Sequence, residues 1–192
     1  MLNCYSEELK PLYSELGIEI KKLFCTMLNV RWTPEQITFL EDLFANAEPY
    51  TSSDKSWVKG LVYNEHPHLT LLYGTMDSVT ENMIGTVLAD WNPENIEIYD
   101  IDYFDSPDDE EYYCIIGKVD VTKNLLEAHT RISLLPHLNT YQDYTPHITL
   151  GYIKKDPILL KEIVMTSASM KPEPTEIVYD NNSGEPAVIK TF

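Results

Sequence analysis

The chain has 192 residues, 43% apolar and 23% charged, enough for one domain with a sizeable core. Its 31 acidic against 14 basic residues give a formal charge of −17, which argues against a sequence-independent grip on long DNA or RNA, where Lys and Arg must meet many phosphates. No apolar run approaches a membrane span, and the first residues lack the basic-then-apolar order of a leader, so a cytoplasmic location is expected.

In chain order, residues 6–16 have the composition of a short helix weakened by Pro11, and 22–30 read as a buried strand. Thr33 followed by Pro34 and Glu35 is a helix start, and Ile37, Leu40 and Phe44 carry that helix to about Ala47. Residues 51–55 form a polar loop and 58–63 a short strand. Met83, Val87, Leu88 and Trp91 are at helical spacing within 79–91. Residues 95–104 alternate as a strand, with Ile96, Ile98, Asp100 and Asp102 on one face. An acidic turn at 105–111 leads to the returning strand 112–121 of a hairpin. Thr122 caps a helix over 123–135 whose inner face is Leu125, Leu126, His129, Ile132 and Leu135. A helix over 156–164 and strands at 176–179 and 188–190 follow. The three cysteines, Cys4, Cys25 and Cys114, cannot all pair and have no metal-binding spacing; Cys25 and Cys114 read as reduced thiols in sheet or core, and neither a metal nor a cofactor is expected.

One phrase occurs twice. Pro67-His68-Leu69-Thr70-Leu71-Leu72-Tyr73 returns as Pro146-His147-Ile148-Thr149-Leu150-Gly151-Tyr152. Each alternates with period two, so His68 shares a face with Thr70 and His147 with Thr149, while Leu69, Leu71, Ile148 and Leu150 turn to the core. A lone His-x-Thr in a strand is usually a cross-strand polar pair. Two copies in the same hydrophobic phase, in a chain with five histidines, point instead to a built site. Two imidazoles flanking one phosphate can serve as general base and general acid near neutral pH.

At these residues the chain resembles the 2H phosphoesterase superfamily, defined by two His-x-Thr/Ser motifs. The resemblance implies an α+β, bilobal fold over roughly residues 20–155: two pseudo-symmetric antiparallel sheets backed by helices around a central cleft. Residues 1–192 then make a single domain with N-terminal and C-terminal extensions. It further implies a metal-independent phosphodiesterase in which His68 and His147 exchange acid and base roles while Thr70 and Thr149 bind phosphate oxygens. Known members act on 2′,3′-cyclic phosphates, 2′–5′ linkages and related small nucleotides. The first phrase is similar to bacteriophage members, among them anti-CBASS proteins that degrade cyclic oligonucleotide immune signals. The expected partner is therefore a small cyclic or short oligonucleotide, with no long nucleic acid and no membrane. The alternatives are a 2′,3′-cyclic phosphodiesterase or 2′–5′ RNA-end enzyme, and a nucleotide sponge that binds without cleaving.

Around the motifs, Trp57, Tyr144 and Trp32 are candidate base-stacking residues, and Lys154, Lys59 and Arg31 candidate cations. Tyr73 and Tyr152 fall on the core face if each strand stays regular. His66 shares the parity of His68 but precedes Pro67, and His129 and His137 read as packing or surface residues.

Overall fold

In the first strand, β1 (Phe24–Arg31), every second side chain is buried. Phe24, Thr26, Leu28 and Val30 face the core, while Cys25, Met27 and Asn29 face the other way. The structure, a computed structural model, describes residues 23–50, 63–106, 111–138, 143–181 and 186–192. The helix expected at 6–16, the loop at 51–55 and most of the strand at 58–63 lie outside these, as do Cys4, Trp57 and Lys59.

Four helices and seven strands are formed by the described residues. Helix α1 (Pro34–Leu43) begins in a capping box: Thr33 Oγ1 accepts from the Gln36 amide and Gln36 Oε1 from the Thr33 amide. It is followed by β2 (His68–Thr75), α2 (Glu81–Val87), β3 (Ile98–Asp105), β4 (Tyr112–Val119), α3 (Lys123–Ile132), β5 (His147–Lys154), α4 (Pro157–Val164), β6 (Glu173–Asp180) and β7 (Ala187–Thr191). Thr80, Thr122 and Asp156 cap the later helices in turn. Among the described residues, no helix is long and apolar enough to cross a membrane.

Three expectations about these elements need correcting. Helix α2 is shorter than the apolar spacing of 79–91 implies, because Thr80 caps it and Leu88 already closes it. On α3 the buried residues are Leu125, Ala128 and Ile132, whereas Leu126 is 46% exposed. In β3 the strict alternation breaks: a register shift between Ile98 and Asp100 buries Ile98 and Ile101 together and sends Asp100 and Asp102 to the opposite face.

The strands form an antiparallel sheet in the order β3-β4-β5-β2-β1-β6-β7. At its centre β5 and β2 share a single ladder pair, Leu69 opposite Ile148. The seven-stranded sheet therefore has two antiparallel arms joined through this one pair. One holds β2, β1, β6 and β7, the other β5, β4 and β3. The halves repeat one another. β1-α1-β2 corresponds to β4-α3-β5, with ten-residue helices capped by Thr33 and by Thr122. The third strand of each half crosses to the other: β3 pairs with β4, and β6 with β1. All four helices contribute to one core with Leu69, Leu71, Ile148 and Leu150.

Where the central strands part, their carbonyls would lose partners in a buried place, and each finds a substitute. On β5 the Leu150 carbonyl accepts from the Asn64 amide at 2.6 Å and the Thr149 carbonyl from Asn64 Nδ2 at 3.1 Å. On β2 the Thr70 carbonyl accepts from the Tyr144 hydroxyl at 3.3 Å, and the Leu71 carbonyl from His129 Nδ1 at 2.7 Å. Further along, Gly74 adopts φ 105° and its carbonyl accepts from the Leu138 amide at 2.8 Å. A Cβ there would lie 2.4 Å from the Leu138 oxygen. Gly74→Ala is therefore expected to cost about 1–3 kcal/mol from backbone strain alone, with the clash added to it. Urea unfolding checks this; an unchanged midpoint would contradict it.

Candidate active site

The phrase that occurs twice becomes β2 and β5, and the two copies share one burial pattern over their first seven residues. Pro67 and Pro146 stand just before the strands, where a missing N–H costs no ladder bond. Their carbonyls accept from Val30 and Val119, equivalent residues of β1 and β4, at 3.0 and 3.1 Å. With Leu69 opposite Ile148, antiparallel pairing sets His68 beside Thr149 and Thr70 beside His147. All four side chains are partly buried on the face away from the core. The structure thus brings together the four residues singled out by the sequence.

Both imidazoles are hydrogen-bonded to backbone. His147 Nδ1 lies 3.1 Å from the Thr145 carbonyl, which can only accept, so Nδ1 carries the hydrogen and Nε2 presents a lone pair. The His68 ring is likewise hydrogen-bonded to the backbone two residues upstream, at His66. Burial pushes both histidines below the usual value of 6.5, and His147 lowers His68 further by charge repulsion. The pair therefore favours one proton shared between two rings over two.

Behind each threonine stands a cysteine. Cys25 Sγ donates to Thr70 Oγ1 at 4.0 Å, and Cys114 Sγ lies 3.9 Å from Thr149 Oγ1. Beside them are Tyr73, opposite Cys25, and Tyr152, opposite Cys114. The Tyr152 hydroxyl is hydrogen-bonded to Thr149 and Cys114, and its burial raises its pKa. These tyrosines were expected on the core face. A register shift in each half, at Thr26/Met27 and at Ile115/Ile116, reverses the parity beyond the histidines and returns both rings to the side of the threonines. The signal was present in the sequence: Leu71-Leu72 and Leu150-Gly151 are pairs of adjacent buried residues that a regular half-buried strand does not have.

The outer neighbours of the histidines differ. Opposite His68 is Asn29, whose Nδ2 donates to Glu176 at 2.9 Å. Opposite His147 is Lys118, paired with Asp100 at 3.0 Å and Asp102 at 3.1 Å, and held above the usual lysine range by those carboxylates. Phe104 meets the His147 ring edge-to-face, centroids 5.1 Å apart. None of these was singled out by sequence reasoning.

The remaining candidates fall elsewhere. Trp32 is buried and its Nε1 donates to the Asn64 carbonyl at 2.8 Å, so its ring belongs to the core and offers no face to a base. Tyr144 stacks on His129 at 4.2 Å and clamps β2. Lys154 pairs with Glu48 at the far end of β5, and Arg31 with Glu173 at 2.5 Å. His66 is exposed, and His137 Nδ1 bonds the Leu135 carbonyl. Among the described residues, no group of three or more His, Cys, Asp or Glu is arranged to hold a metal ion.

The model of the 2′-5′ RNA ligase superfamily matches residues 35–180. The fold is similar to that of Usb1 from Kluyveromyces marxianus, with a TM-score of 0.55 and 9% identity over 88% of this chain and 98% of that one. Usb1 from the same yeast with uridine monophosphate gives a TM-score of 0.53 and 10% identity, over 89% and 99%. At these identities the likeness is one of fold. No curated protein sequence matches the chain.

Proposed function

Because the chain belongs to the 2′-5′ RNA ligase superfamily, the 2H phosphoesterases, we propose that His68 and His147 are the acid–base pair of a phosphodiesterase whose substrate is a small cyclic oligonucleotide. The observation that carries this reading is the single ladder pair Leu69–Ile148, which sets two His-x-Thr faces side by side with each ring hydrogen-bonded to the backbone two residues upstream.

One histidine Nε2 takes the proton of the ribose 2′-hydroxyl as its oxygen attacks phosphorus. The other histidine gives its proton to the departing 5′-oxygen, and a 2′,3′-cyclic phosphate remains. The two imidazoles have then exchanged protonation states, so the same pair can drive attack of water on the cyclic phosphate. Thr70 and Thr149 donate to the non-bridging oxygens as charge gathers there. Thr70→Val and Thr149→Val are each expected to lower kcat by about 10²-fold, on the scale of a lost oxyanion donor. Steady-state kinetics on the purified variants measures this, and kcat within twofold of the parent would remove the threonines from the mechanism.

The pH profile follows from the burial of both rings. kcat/KM rises with pH as the base loses its proton and falls again as the acid loses its own. Both pKa values lie below 6.5, so the optimum is expected on the acid side of that value. A profile still rising at pH 8 would contradict the pairing.

The charge of −17 favours a compact substrate over an extended polymer. A small cyclic signal fits it, and with that substrate the protein would silence a CBASS-type immune messenger in the host cytoplasm. The family description favours a second reading, a 2′,3′-cyclic phosphodiesterase or 2′–5′ RNA-end enzyme. Incubation in EDTA with cyclic dinucleotides, 2′,3′-cyclic mononucleotides, 2′–5′ oligoadenylate and a long RNA separates them. Preference for the cyclic dinucleotide, with its 2′-deoxy analogue spared, is the expected result. Preference for long RNA would overturn the substrate, and binding without turnover would leave a sponge.

A further inference from the structure

The two halves of the cleft match in His, Thr, Cys and Tyr but differ in their outer strands, most of all beside the cysteines. Opposite Cys114 on β3 is Phe104, and opposite Cys25 on β6 is Asp180. Phe104 is 44% exposed although it lies against His147, and among the described residues β3 is the edge of the sheet. The floor beside it is apolar and separate from the main core: Tyr112, Cys114 and Ile116, with Tyr50 and Tyr152 packed against them. Register places Cys114 and Ile116 on the face of Tyr152 and Thr149. An aromatic ring kept in water, next to an imidazole and above an apolar floor, has the chemistry of a stacking surface for a planar base.

We propose that Phe104 is the platform for a nucleobase of the substrate, so that the base sits on the His147 side of the cleft; this rests on the reading of the cleft as a phosphodiester site. The phosphate lies between the four His and Thr side chains, and the base leans outward from it across His147. Asp180, buried at the equivalent place beside Cys25, offers no such ring, which gives the cleft a direction despite its internal symmetry.

Calorimetric titration of the full chain with adenosine monophosphate and with ribose 5-phosphate tests this without requiring turnover. The parent protein is expected to bind the nucleotide more tightly than the sugar phosphate. Phe104→Leu should weaken the nucleotide by about tenfold, the scale of a lost base–aromatic stack, and leave ribose 5-phosphate unchanged. Phe104→Trp should keep the preference. Equal losses for both ligands would show that Phe104 only supports His147, and equal affinity of the parent for both would remove the base from this side; either result overturns the proposal. Failure of turnover with this binding difference intact would sink the phosphodiesterase reading alone.

Discussion

His68→Ala and His147→Ala are each expected to lower kcat by about 10²–10⁴-fold, the range supplied by a positioned general acid or base. Each ring is partly exposed on the cleft face, outside the apolar core, so its loss opens no cavity there. Far-UV circular dichroism and the thermal midpoint should therefore stay close to those of the parent. Because the two groups act as a unit, the double variant should be hardly slower than either single one. Turnover at the parental rate in either single variant would end the paired mechanism. A rate loss accompanied by unfolding would have to be resolved with His→Asn or His→Gln at the same positions, which keep the polar bulk.

Leu69→Ala and Ile148→Ala are expected to have the largest effect on stability. Both side chains are fully buried and they form the one ladder pair between the halves. Truncating a buried Leu or Ile to Ala costs about 2–5 kcal/mol, partly in transfer and partly in the cavity left behind. For a chain of this size that lowers Tm by roughly 5–15 °C. Differential scanning calorimetry measures the shift, and activity assayed well below the midpoint adds a second reading. Each residue lies between a His and a Thr of the site, so kcat should fall even in folded protein. A stable variant with parental kcat would show that the pair does not set the geometry of the cleft.

What could be read from the sequence was the part governed by short-range rules. Thr33-Pro34 and Thr122 mark helix starts because a hydroxyl before an apolar series satisfies backbone amides locally. The four His and Thr residues could be placed on one face because strand periodicity holds up to the shift. Parity was lost beyond it. Tyr73 and Tyr152 change sides through shifts set by the pairing of β2 with β1 and of β5 with β4, contacts distant in sequence. The same cause hid Asp100 and Asp102, which face Lys118 only because β3 shifts after Ile98. Trp32 misled in the opposite direction. Its position at a strand end suggests exposure, but the ring packs into the core and its N–H donates to the Asn64 carbonyl.

The crossing of β3 and β6 has a consequence for how much chain is needed. Either half alone, strand-helix-strand-helix-strand, owns two strands that pair within its own arm of the sheet and a third that pairs with the other half, β3 at the sheet edge and β6 between β1 and β7. By itself it would expose a long open edge, a template for aggregation. It would also hold one imidazole where the chemistry asks for two. Two copies that traded their last strands would cure both defects at once, each sealing the other's edge and lending it the missing proton carrier. A half-length version of this chain is therefore expected to be soluble and competent only as a strand-exchanged pair.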